Sequence, residues 1–411
     1  LSGFDAWHTH KIDRLNIPSI KMSDGPNGVR GDGNSGQPSA CFPSAISLGS
    51  TWDMGLINKL GIELGSEAKL KDVDVLLGPT INIHRHPLGG RHFESYSEDP
   101  YLTGRIAIEY VNGVQSKNVA SCLKHFVGND TEFQRYAVSS NIDERTLREI
   151  YLLPFEMGIK ESNAKSVMSA YNKLNNIYCS SHKQLLIDIL KKEWNFDGYV
   201  VSDWGAALEN IENANGGLDL EMPGPAKSWG TNLVQAIERG DVPVSEINDK
   251  VKRILNIAVF SKRFDDPDLK AEKSNDTPEQ RMLLKKAAQD GMVLLKNEGL
   301  LPLNKNISSI GVIGPNAKKS QIIGGGSAHL MAYHESHPLK AIKDILGKTS
   351  KINYSKGCHT HRYLPPLKED LMKDNPSGQD GYLIEYFDTS SGEEKLVSKE
   401  YSSGGKFWVF E

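Results

Sequence analysis

Short apolar runs alternate with longer amphipathic stretches between Ser19 and Gly224, and this pattern constrains the fold more than any other feature of the sequence. The runs have the length of buried strands, and the stretches between them have the length and periodicity of helices. Because strands and helices that alternate along a chain build a parallel sheet covered by helices, the pattern predicts an α/β fold. Six such units over about 250 residues predict a TIM-like (β/α)8 barrel, with a doubly wound open sheet as the alternative.

The apolar runs and helical patterns also predict the boundaries of the elements. Strands are predicted at Ser19–Ser23, Val73–Leu77, Val119–Leu123, Ser166–Ala170, Tyr199–Ser202 and Leu218–Glu221. Helices are predicted at Asp53–Lys71, Asp99–Ser116, Asp143–Glu161, His182–Trp194, Ala206–Asn213 and Val244–Phe260. Several of these helices begin with Asp, whose side chain accepts hydrogen bonds from the free backbone N–H groups of a first helical turn.

The composition changes after the barrel region, which predicts several domains. We predict a barrel at 1–260, a polar, proline-containing linker at 261–280, a second α/β unit at 281–375 and a β-rich segment at 376–411. In the last two segments the predicted elements are strands at Gly291–Lys296, Ile310–Ile313, Gly381–Phe387 and Gly405–Phe410, and a helix at Leu339–Leu346. A β-rich segment of some thirty residues is too short to fold alone.

Charge and hydropathy exclude two classes of partner. The 411 residues carry a net charge of −4, and no run of Lys and Arg is interleaved with aromatic residues, so we expect no nucleic-acid partner. No stretch approaches the roughly 20 apolar residues that span a bilayer, and the first ten residues do not form a secretion signal, so we expect no membrane association. The expected partner is a small neutral molecule, and a homo-oligomer is left open.

Cysteine and histidine usage bears on compartment and metal binding. The cysteines have no metal-type spacing, which predicts free thiols in a reducing, cytoplasmic compartment; they are Cys41, Cys122, Cys179 and Cys358. Secretion is left open by the Asn-x-Ser/Thr sequons at Asn129, Asn275, Asn306 and Asn353. His84 and His86 have no third ligand at a suitable spacing, so we expect neither a metal nor a cofactor.

Polar residues follow the apolar runs, at the strand ends where barrel enzymes build their active sites. These residues are Asp24, Lys124, His125, Tyr171, Asp203 and Glu221, with Arg91 in the loop after the second run. Acids, cations and an aromatic side chain suit recognition of a sugar through its hydroxyl groups. Asp203 is the sharpest candidate because a buried-type strand delivers it beside Trp204, although a helix-capping role is the alternative for this carboxylate.

At these residues the sequence resembles glycoside hydrolase family three, and in particular its β-glucosidases, over nearly the whole chain. The matching motifs are Met22–Arg30, Gly90–Pro100, Lys124–Phe126, Ser202–Trp204 and Leu220–Gly224. The resemblance implies a retaining exo-hydrolase that removes terminal β-D-glucosyl residues through a covalent glycosyl-enzyme on Asp203. A β-xylosidase or another exo-β-glycosidase of the same family is the alternative.

The resemblance also implies which residues line the subsite for the terminal sugar. They are Asp24, Arg91, Lys124, His125, Arg135, Met168, Tyr171 and Trp204. Residues 281–375 resemble the first part of the family's α/β sandwich, and 376–411 resemble the start of an inserted protective-antigen-type β-sandwich. By the same resemblance the acid/base Glu lies beyond Glu411, while Glu94 and Glu221 are expected to brace the site.

Two further hypotheses compete with an enzyme of this kind. Taken alone, the chain to Glu411 is expected to be a sugar-binding fragment that lacks its proton donor. A nucleotide site at Gly311–Pro315 is disfavoured because its glycines do not fit the Gly-x-Gly-x-x-Gly spacing.

The family's amino-sugar hydrolases place an Asp-His pair soon after the Lys-His motif. This chain has no such loop after His125, which disfavours an amino-sugar substrate.

Overall fold

The computed structural model describes residues 1–32, 36–347, 349–360, 382–388 and 394–402. They form two compact units, which are described separately: Leu1–Leu303 with Gln321–Ser336, and Asn304–Ser320 with His337–Glu411. Among the described residues no helix is both long enough and apolar enough to cross a membrane.

A curled parallel sheet forms the centre of the first unit. The strands of this unit are β1 (Met22–Asp24), β2 (Val75–Leu77), β3 (Ala120–Phe126), β4 (Ser139–Ser140), β5 (Ser166–Ser169), β6 (Lys173–Leu174), β7 (Ile177–Tyr178) and β8 (Tyr199–Ser202). The main sheet has the order β1-β2-β3-β5-β8, and all its neighbours are parallel. The short strands β4, β6 and β7 form a separate three-stranded sheet. Five of the six predicted barrel strands are therefore confirmed as regular strands.

The segment at Leu220 and the amino-terminal residues complete the ring. Leu220 bridges Val201 in parallel, and Glu221 bridges Ser2 in parallel. The chain then turns back, so that the Thr9 N–H donates to the Ile20 carbonyl at 3.0 Å beside β1. The sixth predicted strand, Leu218–Glu221, thus lies beside β8 as predicted but forms isolated bridges instead of a regular strand.

Alternation along each strand separates the inside of the barrel from its helical coat. Met22, Cys122 and Val201 belong to one apolar cluster inside the ring. Their neighbours, such as Leu123 and Val200, pack in the larger cluster between sheet and helices. Because side chains on a strand alternate between faces, the residues two positions after the inner ones also face inward at the barrel mouth.

Helices cover the sheet and begin close to the predicted positions. They are α1 (Ala45–Gly49), α2 (Met54–Leu70), α3 (Pro100–Gln115), α4 (Glu144–Thr146), α5 (Leu153–Ser162), α6 (Ile211–Gly216), α7 (Thr231–Glu238), α8 (Val244–Phe260), α9 (Pro278–Asp290), α10 (Pro315–Lys318) and α11 (Pro338–Leu346), with π-helical turns at Leu147–Leu152 and Gln184–Glu193. The Asp53 side chain accepts from the Leu56 N–H at 2.9 Å, and Asp99 caps α3 in the same way. Asp53 and Asp99 are thus confirmed as the residues that cap α2 and α3.

Two predicted elements are wrong, and each has an identifiable physical cause. The helix predicted at Ala206–Asn213 begins only at Ile211, because the carbonyls of Ala206 and Ala207 accept from serine side chains instead of from the backbone. The strand predicted at Gly291–Lys296 is irregular, and no segment in the described ranges pairs with it. A strand needs a hydrogen-bonded neighbour to satisfy its backbone groups.

The described residues of the second unit contain two pairs of strands. The strands β9 (Ser309–Ile313) and β10 (Lys351–Ser355) pair in parallel, and α11 precedes β10. The strands β11 (Tyr382–Asp388) and β12 (Lys395–Ser402) form an antiparallel hairpin. The strand predicted at Gly381–Phe387 is thus confirmed, whereas the one predicted at Gly405–Phe410 lies outside the described residues.

Candidate active site

Charged side chains from three strands meet at the carboxyl ends of the barrel. Asp24, Lys124 and Asp203 each follow an inward-facing residue by two positions, and all three are buried. The Lys124 Nζ donates to Asp24 Oδ1 at 2.8 Å, so β1 and β3 are joined by a buried ion pair. Coulombic attraction to Asp24, together with Glu94, outweighs burial and raises the pKa of Lys124. This lysine is therefore a fixed positive charge in the site.

The loop after β2 supplies a second cation held by its own acid. Arg91 donates through Nε to Glu94, and the other Glu94 oxygen accepts from the Thr80 hydroxyl at 3.1 Å. Burial alone would raise the pKa of Glu94, but Arg91 and Lys124 outweigh it and lower that pKa. Glu94 is therefore an ionised brace for Arg91, as the sequence analysis expects.

Asp203 differs from these acids because one of its oxygens is free of hydrogen bonds. Its Oδ1 accepts from the Trp204 N–H at 2.7 Å, whereas its buried Oδ2 has no hydrogen-bond partner in the described part of the chain. The nearest ionisable nitrogen, His125 Nε2, is 3.6 Å away, which is too long for a hydrogen bond. Burial raises the pKa of Asp203, and the cations of Arg91 and Lys124 offset part of that rise.

His125 is buried between cations and stays neutral. Burial lowers its pKa well below the ordinary value, and the positive charges of Arg91, Lys124 and Arg135 lower it further. Its ring is held through Nδ1 by Asn82 Oδ1, 3.1 Å away. Sequence reasoning did not identify Asn82, although this residue lies in the loop after β2 and could have been found as another polar residue at a strand end.

Trp204 forms one wall beside Asp203. The indole is half-buried, and its Nε1 donates to the Ala6 carbonyl at 2.8 Å. The Trp7 ring lies 5.5 Å from the Trp204 ring, so the amino-terminal segment that completes the barrel also supports this wall. A fixed, partly exposed indole offers a flat apolar surface next to the carboxylate.

Tyr171 and Arg135 form the adjoining part of the site. The Tyr171 hydroxyl lies beside Asp203, but it donates its single proton to the Trp204 carbonyl at 3.1 Å. Burial together with the Asp203 carboxylate raises the pKa of this phenol. The Arg135 guanidinium carbon lies 4.3 Å from the centroid of the Tyr171 ring, a cation–π contact. Tyr136 packs edge-on against Tyr171, with ring centroids 4.6 Å apart.

The structure places Met168 below the charged groups. Its Cα pairs with that of Val201 across β5 and β8, and Val201 precedes Asp203 by two residues on the inner face. Met168 is buried in the inner apolar cluster. Of the predicted site residues it is thus the one that contributes packing under the pocket floor, while the others supply polar or aromatic groups.

Glu221 is occupied by the loop that follows it. Its Oε1 accepts from the N–H groups of Lys227 and Ser228 at 2.9 and 2.7 Å, and its Oε2 accepts from Trp229 and Ser2. A carboxylate with this many donors is a structural anchor. This agrees with its expected bracing role.

Histidine and acidic clusters offer no metal centre in the part of the chain that the structure describes. There, no group of three or more His, Cys, Asp or Glu residues is placed to hold an ion. His84 Nε2 is instead within 3.0 Å of the carbonyls of His92 and Ser95. The chemistry available at the site is that of carboxylates, cations and aromatic rings.

Two sequence profiles match most of the chain. The profile of the Glycosyl hydrolase family 3 N terminal domain matches residues 5–257, and that of the Glycosyl hydrolase family 3 C-terminal domain matches residues 292–400. The chain is 45% identical over 418 aligned residues to a protein of Rhizobium radiobacter named Beta-glucosidase, covering all of this chain and 49% of that protein. It is 44% identical over 395 residues to Probable beta-glucosidase J of Aspergillus fumigatus, covering 94% of this chain and 45% of that protein.

Solved structures show the same fold. The beta-glucosidase from Kluyveromyces marxianus in complex with glucose matches with a TM-score of 0.84 and 39% identity, covering 98% of this chain and 50% of that one. The beta-glucosidase 3B from Thermotoga neapolitana in complex with glucose matches with a TM-score of 0.77 and 37% identity, covering 85% and 49%.

These similarities confirm the predicted TIM-like barrel followed by a sheet-containing domain. The chain spans about half the length of the relatives it matches. The amino-terminal profile alone covers more than half of its residues. The chain belongs to glycosyl hydrolase family 3.

Proposed function

We propose that the protein containing this chain is a retaining, exo-acting β-glucosidase that removes terminal β-D-glucosyl residues through a glycosyl-enzyme formed on Asp203. One observation carries the proposal: Asp203 Oδ2 is buried at the barrel mouth and has no hydrogen-bond donor among the described residues, while the Trp204 N–H donates to the other oxygen. An oxygen in this state keeps its lone pairs available for attack on an electrophilic carbon.

The first half of the reaction follows from this arrangement. Asp203 Oδ2 attacks the anomeric carbon, the bond to the leaving-group oxygen breaks, and an ester joins the sugar to the enzyme. Positive charge that develops on the sugar ring faces the Asp203 carboxylate. Hydrolysis of the ester by water then releases glucose with the configuration of the substrate.

The remaining predicted residues are proposed to bind the sugar. Asp24, Arg91 and Lys124 would form charge-assisted hydrogen bonds with its hydroxyl groups, and Trp204 would pack against one face of the ring. His125, Arg135 and Tyr171 would complete the polar wall, with Met168 packing beneath it. Interactions that strengthen at the transition state would supply the rate acceleration.

A retaining mechanism also needs a second carboxyl group about 5–5.5 Å from the first. Asp24 is paired with Lys124, and Glu94 is paired with Arg91, so neither is set up to donate a proton. We therefore keep the proposal that the acid/base is a Glu outside the barrel, supplied by the polypeptide beyond position 411. The domain boundaries at 260, 280 and 375 remain proposals, and they rest on the changes in composition along the sequence.

Glucose is the proposed sugar because of the relatives. The similar proteins of Rhizobium radiobacter and Aspergillus fumigatus are named as beta-glucosidases, and two similar structures contain glucose. A β-xylosidase is the competing function. We also propose a cytoplasmic location, which the four unpaired cysteines of the chain support.

Product stereochemistry tests the proposal directly. The full-length protein is incubated with 4-nitrophenyl β-D-glucoside, and the anomeric proton of the released sugar is followed by NMR before mutarotation. We expect β-glucose first, with faster hydrolysis of the glucoside than of the matching xyloside. Release of α-glucose would overturn the retaining mechanism, and a preference for the xyloside would replace the proposed substrate.

A further inference from the structure

Asn82 holds His125 through three buried contacts. The Asn82 Nδ2 donates to the His125 carbonyl at 2.8 Å, and the His125 backbone N–H donates to Asn82 Oδ1 at 2.9 Å. The same Oδ1 lies 3.1 Å from His125 Nδ1. Both residues are buried, so solvent does not compete for these groups.

These contacts fix the tautomer of His125. The backbone N–H must meet the amide oxygen and the backbone carbonyl must meet the amide NH2, so the Asn82 amide has one possible orientation. An amide oxygen only accepts hydrogen bonds. The Nδ1 atom of neutral His125 therefore carries the proton, and its Nε2 atom presents a lone pair.

That lone pair faces the free oxygen of Asp203. His125 Nε2 and Asp203 Oδ2 are 3.6 Å apart, and Oδ2 has no donor in the described part of the chain. The charged and titratable groups that act on His125 or line the same pocket are Arg91, Lys124, Arg135, Asp203, Asp130 and His92. The three cations oppose a further positive charge on the imidazole, which favours the neutral form.

We propose that Asn82 is a positioning residue that holds His125 as the neutral Nδ1–H tautomer and thereby withholds a hydrogen bond from Asp203 Oδ2. The inference rests on the proposed function, since it assigns Asp203 Oδ2 as the attacking atom. A hydrogen bond from an Nε2–H group would stabilise the carboxylate and make it a weaker nucleophile. The amide of Asn82 prevents that bond by occupying the only ring proton.

Two substitutions test the proposal in the full-length protein. In Asn82→Asp a carboxylate accepts the Nδ1–H group, favours the imidazolium and allows Nε2–H to donate to Asp203. In Asn82→Ala the ring is free to adopt the Nε2–H tautomer. The measurements are the rate at which an activated 2-deoxy-2-fluoroglucoside labels Asp203 and the pH profile of kcat/KM for an aryl glucoside.

We expect about ten- to hundredfold slower labelling in Asn82→Asp, the range for a hydrogen bond to a charged group, with recovery as pH rises and the imidazolium loses its proton. In Asn82→Ala we expect a smaller loss of labelling rate. The acid limb of the kcat/KM profile should shift to lower pH, because the new hydrogen bond lowers the pKa of Asp203. The Ala variant decides the question if the Asp variant does not fold.

Asn175 provides the matched control. Its side-chain amide also clamps a backbone, accepting from the Ile142 N–H and donating to the Ile142 carbonyl, both at 2.9 Å, but no histidine is involved. Asn175→Asp should change neither the labelling rate at any pH nor the pH profile of kcat/KM. Loss of activity in Asn82→Ala with an unmoved acid limb would reduce Asn82 to a structural residue and overturn the inference. Failure of wild-type protein to be labelled would instead contradict the proposed function.

Discussion

The two ends of the barrel both bury charged groups, but they complete the bonding of those groups differently. At the amino end, both carboxylate oxygens of Asp74 lie 3.0 Å from Arg263 Nε, which donates to them. The Oδ2 atom also accepts from the Lys21 N–H at 2.9 Å. Also at that end, Glu272 accepts from the Lys21 ammonium group and from two backbone N–H groups. At the carboxyl end, Asp203 Oδ2 has no donor in the described part of the chain.

The difference separates a structural network from a reactive one. Buried carboxylates whose oxygens are all paired hold neighbouring segments together, and removal of one partner leaves the other uncompensated. A buried carboxylate oxygen without a partner costs stability and is available to a ligand or substrate. We therefore expect substitutions at the amino end to change stability and substitutions at Asp203 to change activity.

The largest expected effect is loss of turnover in Asp203→Asn. An amide oxygen is a far weaker nucleophile than a carboxylate, so kcat for aryl β-glucosides should fall by at least about a thousandfold. Steady-state kinetics on the full-length protein measure this loss. Turnover within tenfold of wild type would show that Asp203 does not form the glycosyl-enzyme.

The next effect is on stability, from Arg263→Met at the amino end. This change leaves Asp74 buried without its cation and also removes the bonds from Arg263 Nη1 to Asp72, so the free energy of unfolding should fall by about 3–5 kcal/mol. Urea denaturation measures the fall, and kcat of the folded enzyme should stay unchanged.

The control for Arg263→Met is an exposed ion pair. Arg145 and Glu149 are linked at 3.0 Å on the surface, so Arg145→Met should cost less than about 1 kcal/mol. A drop in kcat for Arg263→Met as large as that for Asp203→Asn would contradict the separation between the two ends.

A smaller effect is a gain in stability in Asp203→Asn. The pKa of Asp203 is raised in the folded protein, chiefly by burial, so its ionised form opposes folding at pH values above the folded pKa. The amide removes this penalty and should raise the free energy of unfolding at pH 7 by about 2–3 kcal/mol. The gain should disappear below about pH 4, where the unfolded carboxyl is also protonated. A less stable Asn variant at pH 7 would contradict this account of the unpaired oxygen.

The smallest effect on activity concerns Asp130, another acid near the site, which also has an oxygen without a partner among the described residues. Burial raises its pKa to about 7, with Arg85 opposing the rise. Asp130→Asn should add stability above pH 7, with the gain lost below about pH 4, where the unfolded carboxyl is also protonated. The Asp130→Asn substitution should not change the ratio of the hydrolysis rates of phenyl and dinitrophenyl glucosides. A selective loss with the phenyl glucoside, rescued by azide, would make Asp130 the acid/base instead of a Glu outside the barrel.

The sequence predicted the barrel well because its signals are local. The short apolar run at Tyr199–Ser202 and the capping residues Asp53 and Asp99 each specify an element within a few residues. The helix predicted at Ala206–Asn213 was displaced because Ser180 and Ser228, distant in sequence, bind the carbonyls needed for its first turn. Such competition depends on tertiary contacts and leaves no local pattern.

The sequence predicted which polar side chains the strands bring to this end of the barrel, but it did not predict the bonds between them. The strand ends and the family motifs predicted that Asp24, Lys124 and Asp203 lie in one site. They could not tell that Lys124 pairs with Asp24, because that contact spans one hundred residues. Nor did they indicate Asn82, whose importance depends on the three contacts it makes with His125.

The most direct test of the account is to trap the glycosyl-enzyme on the full-length protein. After incubation with 2,4-dinitrophenyl 2-deoxy-2-fluoro-β-D-glucoside, intact-mass measurement should show one fluoroglucosyl group per chain. Peptide sequencing by mass spectrometry should place that group on Asp203. A label on any other carboxylate, or hydrolysis of glucosides without any trapped intermediate, would contradict the central claim that the unpaired oxygen of Asp203 is the nucleophile.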